Sequence, residues 1–127
     1  MQEKSLFEYA IIRLVPRVER EEFINVGVIL YCAKQKFLKA KVILQKSRLD
    51  SFSEDVDIDF VLHNLNAIVQ ICDGVEGSGV IGQLDQPSRF RWLTATRSTI
   101  IQSSKVHPGF CKDPNEAIKR LLDEFVN

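Results

Sequence analysis

The residues best able to do chemistry stand in one run, Arg89, Phe90, Arg91, Trp92, Leu93, Thr94, Ala95, Thr96, Arg97, Ser98 and Thr99. Guanidinium forks beside hydroxyls and an indole suit recognition of a carboxylate or phosphate, because the fork matches the geometry of two anionic oxygens. From Gln86 to Lys112 there is no acid, while Arg89, Arg91, Arg97, Lys105 and Lys112 fall inside. Unneutralised positive charges in sequence make a local field that draws anions. In an extended chain Arg89, Arg91, Leu93 and Ala95 would share one face, and in a helix Arg89 would stack on Leu93. The alternative is that Phe90 and Trp92 are core residues and the arginines only rim charges.

A second cluster, Arg17, Glu19, Arg20, Glu21, Glu22 and Asn25, lies between two apolar segments. Carboxylates beside arginines can serve acid–base chemistry or hold a metal. Dense opposite charges more commonly neutralise one another at a surface. Asn25, just before an apolar run, is expected to brace a loop through its side-chain amide. His107, in Val106-His107-Pro108-Gly109, lies near Cys111, and a Cys–His couple is a nucleophilic device only when both side chains and an orienting group meet. A turn histidine with an ordinary hydrogen bond is the simpler reading. His63 falls on the polar side of a helix.

Cys32, Cys72 and Cys111 form neither paired disulfide spacing nor a zinc motif, and Cys32 and Cys72 read as buried thiols. No phosphate-binding glycine loop, dinucleotide fingerprint or nucleophile elbow occurs. No cofactor is expected. The 17 basic and 17 acidic residues cancel, which does not suit a strongly basic nucleic-acid binder. The segregation is nevertheless real, since Asp50, Glu54, Asp55, Asp57 and Asp59 follow one another without a base. No apolar run approaches the length of about 20 residues that a spanning helix needs, and no secretory leader opens the chain. A cytoplasmic, non-membrane protein is expected.

The elements that must position these residues follow from periodicity. Residues 7–15 and 26–32 are rich in branched and aromatic side chains on both faces and predict central strands. Gly27 inside the second predicts a bulge or close backbone approach. Residues 37–44 alternate and predict a half-exposed strand joined by a hairpin. A helical turn is expected near Ser47–Phe52. Apolar residues at 58, 61, 62, 65, 68, 69 and 72 predict a helix with Asp57 as N-cap and Gly74 as stop. Residues 74–88 read as loop, or a helix start near Pro87, and Ser98–Ser104 as strand. Pro108-Gly109 predicts a turn, and Asp113-Pro114-Asn115-Glu116 a strong helix start. With 127 residues and no repeats, the expectation is a single domain, residues 1–127. Its class is α+β, a mixed, mainly antiparallel sheet of three to five strands with helices packed on one face.

Two blocks, YAIIRLVPRVEREEFINVGVILY from Tyr9 to Tyr31 and IGQLDQPSRFRWLTATRSTIIQSSKVHPGFCKDP from Ile81 to Pro114, resemble a bacterial family of short single-domain proteins of unknown function. Arg91 and Thr96 stand where many members carry His and Pro, and the absence of that His weakens an acid–base reading. The resemblance implies genomic company, a kinase-like protein similar to the HipA toxin kinases, and hence a role as its partner or regulator. Arg13, Arg17, Arg20, Glu22 and Asn25 are expected to meet Arg89, Arg91, Trp92, Thr94, Arg97, Ser98 and His107 on one surface. The function expected is a non-catalytic interaction module receiving an acidic or phosphorylated protein partner. The alternatives are an enzyme on a phosphate-containing substrate, with Glu19, Glu22 or His107 as base, and nucleic-acid binding through Arg89, Arg91, Trp92 and Arg97.

Overall fold

Branched and aromatic residues on both sides of a segment favour a strand covered twice. The computed structural model, which describes residues 3–16, 22–45, 47, 57–97 and 99–127, places such a segment at the centre. Strand β1 (Ser5–Leu14) pairs with β2 (Ile24–Cys32) along one edge, and β2 pairs with β3 (Phe37–Val42). The other edge of β1 is shared. Its second half pairs with β4 (Ile101–Ser103) and its first half with β5 (His107–Cys111). Every pairing is antiparallel, and the main path runs β3-β2-β1-β4. Between β4 and β5 the Ser104 hydroxyl accepts the Ile11 amide at 2.8 Å while the Ser104 amide donates to the Ile11 carbonyl at 2.8 Å. That pair carries the ladder across the kink.

The helices are α1 (Ile58–Asp73), the single turn α2 (Gly79–Gly82), α3 (Gln86–Leu93) and α4 (Pro114–Phe125). Their ends follow the capping rules. Asp57, Asp85 and Asp113 accept from the amides of Phe60, Ser88 and Asn115, and Gly74 closes α1 in the left-handed region at φ 65°. The chain is thus α+β, a five-stranded antiparallel sheet with four helices packed against it among the described residues.

The expectation that the helices gather on one face gives way to a division between both. Ile12, Leu14, Val26 and Ile29 join Val61, Leu65, Phe90 and Leu93 in one core cluster, beneath α1 and α3. Phe7, Ile11, Val28, Leu30 and Cys32 join Ile118, Leu121 and Leu122 in a second, beneath α4. The cause is in the strands, whose middles are apolar on both sides, so a single layer of helices would leave one side wet. Ile12 faces Gly27 and Arg13 faces Asn25, so Val26 is an extra residue, a β-bulge that shifts the alternation of β2. A Cβ on Gly27 would stand 2.6 Å from the Lys41 carbonyl, so the close approach demands glycine.

Pro108-Gly109 is strand rather than turn. β5 pairs only with β1, so the missing proline amide costs no second ladder. Gly109 clears space for the Phe7 ring, whose Cζ would lie 2.4 Å from an added Cβ. The expected strand over Ser98–Ser104 shortens to Ile101–Ser103. The helical turn expected near residues 47–52 lies outside the described residues but for Ser47, which is helical.

Candidate functional site

Arg13 and Asn25 are cross-strand partners on the α4 face, the side opposite Ile12 and Leu14. The Arg13 guanidinium lies over the Phe23 ring at 4.2 Å, and Asn25 Nδ2 donates to the Phe125 carbonyl at 3.0 Å. Asn25 therefore braces the end of α4. Arg13 Nε and Asn25 Oδ1 are buried without a partner among the described residues. His107 is exposed, and its ring packs on Tyr9 at 5.5 Å. It pairs with Tyr9 near the middle of β1, four residues before Arg13. Cys111 lies in the α4-side cluster beside Cys32, and burial first, then Cys32 itself, pushes its thiol pKa up. That chemistry holds a protonated core thiol. Glu22 is exposed. Arg17, Glu19, Arg20, Glu21 and Ser98 lie outside the described residues.

Trp92 and Arg97 line the other face, so they do not meet Arg13 and Asn25 at one surface. Arg89 is 9% exposed, and its Nη1 donates to the carbonyls of Ile71 at 2.8 Å and Cys72 at 3.0 Å. Those carbonyls end α1, where the helix leaves acceptors unsatisfied and the dipole favours a cation. Arg89 is consequently an internal cap rather than a surface clamp. Gly74 permits it, because a Cβ there would stand 2.7 Å from Arg89 Nη1. Arg91 is exposed on the last turn of α3. The Asp85 carboxyl is held below its ordinary range by hydrogen bonds from Ser88 first and by the charges of Arg91 and Arg89 after them. Thr94 ends α3, its hydroxyl donating to the Phe90 carbonyl at 2.8 Å.

Arg97 and Trp92 remain, and they line a cavity of about 270 Å³. One wall is the side of α1 that carries Phe60, Asn64, Ala67, Ile68 and Ile71. The other runs from Trp92 and Leu93 through residues 99–103, and the floor is Ile12 and Ile29 of the sheet. Among the described residues Arg97 is the one ionisable residue of the lining. Its guanidinium stacks over the Trp92 ring at 4.3 Å and donates to the carbonyls of Trp92 and Leu93, which end α3. Trp92 is 42% exposed and Phe60 52% exposed, so two aromatic rings stand at the rim. Asn64, Thr99 and Gln102 donate to the carbonyls of Phe60, Ile101 and Thr99, which fixes them as wall.

The α1 wall was hidden in the sequence because it reads as part of an amphipathic core stripe. Phe60 and Ile71 fall beside that stripe rather than on it, and this extra width was the available signal. A second concavity, about 470 Å³, lies at the start of α4, where Lys4, Lys112 and Arg120 are interleaved with Asp113 and Glu116. The charges there are mixed. Among the described residues no group of three or more His, Cys, Asp or Glu is placed to hold a metal ion, and no helix is long and apolar enough to cross a membrane.

The fold and groove define a small α+β domain with a sheet clad on both sides and an apolar furrow on one. The chain belongs to the family of proteins of unknown function DUF3037, which it matches over residues 9–126. No curated protein and no solved structure matches it.

Proposed function

We propose that this domain is a non-catalytic interaction module whose working surface is the groove between α1 and residues 92–97 and 99–103. The observation that carries the reading is the lining itself, an apolar cavity of about 270 Å³ with Arg97 as its one ionisable residue among those described and Phe60 and Trp92 exposed at the rim. Exposed aromatic anchors beside a concave apolar surface and a fixed arginine are the composition of binding hot spots. The partner on this reading is a protein that presents an acidic or phosphorylated group to Arg97. The HipA-like kinase implied by the family resemblance is the first candidate.

The test is co-purification of the chain with that kinase, using two paired variants. Phe60→Asp with Trp92→Ala spoils the groove, and Arg13→Ala with His107→Ala alters the opposite face. Wild type and the second pair should retain the partner, and the first should lose it while keeping a native circular dichroism spectrum. Retention by a folded groove variant would remove the reading.

A further inference from the structure

The groove's polar chemistry narrows the anion it can take, an argument that rests on the groove being the working surface. Arg97 is held from behind by the carbonyls of Trp92 and Leu93 and by the Trp92 ring. A guanidinium has five N–H donors, and those not aimed at the helix end are uncommitted among the described residues. The fork is therefore fixed in place before a ligand arrives, which lowers the ordering cost of binding. Among the described residues no lysine, histidine or second arginine lines the cavity with it. Arg89 is turned inward onto α1, and Arg91 is exposed outside the lining. The remaining polar side chains of the wall, Asn64, Thr99, Gln102 and Ser103, donate to nearby backbone carbonyls.

A phosphoryl group carries a charge of about −1.5 to −2 and three acceptor oxygens, and is ordinarily matched by several cations or amides. A carboxylate carries a single charge and two oxygens, which one fork satisfies. The cavity adds the second requirement. A dry cavity of about 150 Å³ accommodates benzene, so one of about 270 Å³ takes a leucine- or phenylalanine-sized group. We infer that the groove takes a polypeptide segment in which a large apolar side chain is followed by a carboxylate, the apolar group filling the cavity and the carboxylate meeting Arg97. A phosphoryl group in the carboxylate's place is disfavoured.

Trp92 is the chain's one tryptophan and lines the cavity, so its fluorescence reports occupancy directly. The probes are three doubly blocked tetrapeptides, with leucine followed by glutamate, by glutamine or by phosphoserine, titrated into the intact chain. The glutamate peptide should bind about 10-fold tighter than the glutamine peptide, the scale of a hydrogen bond to a charged group, and tighter than the phosphoserine peptide. Arg97→Gln should erase the glutamate preference while leaving the Trp92 response to the leucine. Arg97→Lys, which keeps the charge, should retain part of the preference, so a loss through misfolding is distinguishable. Equal binding of the glutamate and glutamine peptides overturns the inference and leaves the groove reading standing. Tighter phosphoserine binding does the same. A Trp92 signal that no peptide moves also overturns the inference, while the groove reading is judged separately by the paired variants and the kinase.

Discussion

On one side of the sheet a single helix of 12 residues closes the surface, and on the other two helices leave a gap. The α4 stripe of Ala117, Ile118, Leu121 and Leu122, with Val126 just beyond it, seats fully on β1 and β2 residues. On the opposite side α1 lies over β3 and α3 over β2, so the surface above Ile12 and Ile29 toward β4 is walled but not covered. Ile68, Ile100 and Ile101 are consequently only half-buried. The same asymmetry appears in the arginines. Arg89 and Arg97 each end a helix on the open side, whereas Arg13 is stacked on Phe23 beyond the end of α4. A charge-rich motif can thus serve the fold before it serves any ligand.

The largest effect that sharpens this contrast is core truncation. Ile118→Ala, at a fully buried position, should cost about 3–4 kcal/mol in urea unfolding. Ile68→Ala, on the groove wall, should cost about 1 kcal/mol, because its site is already half wet. Equal costs would break the distinction between a sealed and an open face. Gly27→Ala comes next. Its Cβ would meet the Lys41 carbonyl at 2.6 Å and Val42 Cγ1 at 2.9 Å, and overpacking of this kind costs about 2–3 kcal/mol.

Arg89→Met should destabilise by about 2 kcal/mol, since it strips two charge-assisted bonds from the end of α1. The same variant should weaken partner binding only through loosened groove walls, not through a lost contact. Asp113→Ala should cost about 1 kcal/mol as a lost N-cap. The smallest effect at neutral pH is zero. Burial, then the Asp73 charge, lifts the Cys72 thiol from 9.0 to about 12. The folded state therefore holds this proton more tightly than the unfolded state. Its stabilisation is complete below pH 9 and is lost as pH rises from 9 toward 12. Cys72→Ala, whatever its own cavity cost, should flatten that alkaline slope, and native Cys72 should resist a thiol reagent at pH 8.

Much of this fold was legible in the chain. Residues 7–15, 26–32 and 37–44 read as strands because branched and aromatic side chains suit a pleated surface, and β1, β2 and β3 fall on them. Asp57, Gly74 and the Asp113-Pro114 start fix their helices locally, since a cap needs only neighbours. Pro108-Gly109 misled, because its turn signal is local while its strand is imposed by Phe7 and the open edge of β1.

The candidate site was legible only in part. Trp92 and Arg97 stand in the conspicuous basic block, but their companions Phe60, Asn64 and Ile71 come from a helix that reads as ordinary core. Local periodicity and capping thus determined which segments are helix and strand, and that charge is segregated along the chain. The tertiary structure alone decided which face each arginine occupies. One unpaired residue at Val26 shifts the alternation of β2, and the carbonyl ends of α1 and α3 claim Arg89 and Arg97. The bulge and the Arg89 bonds join residues far apart in sequence, whereas Arg97 bonds four and five residues back and owes its face to where α3 packs on the sheet.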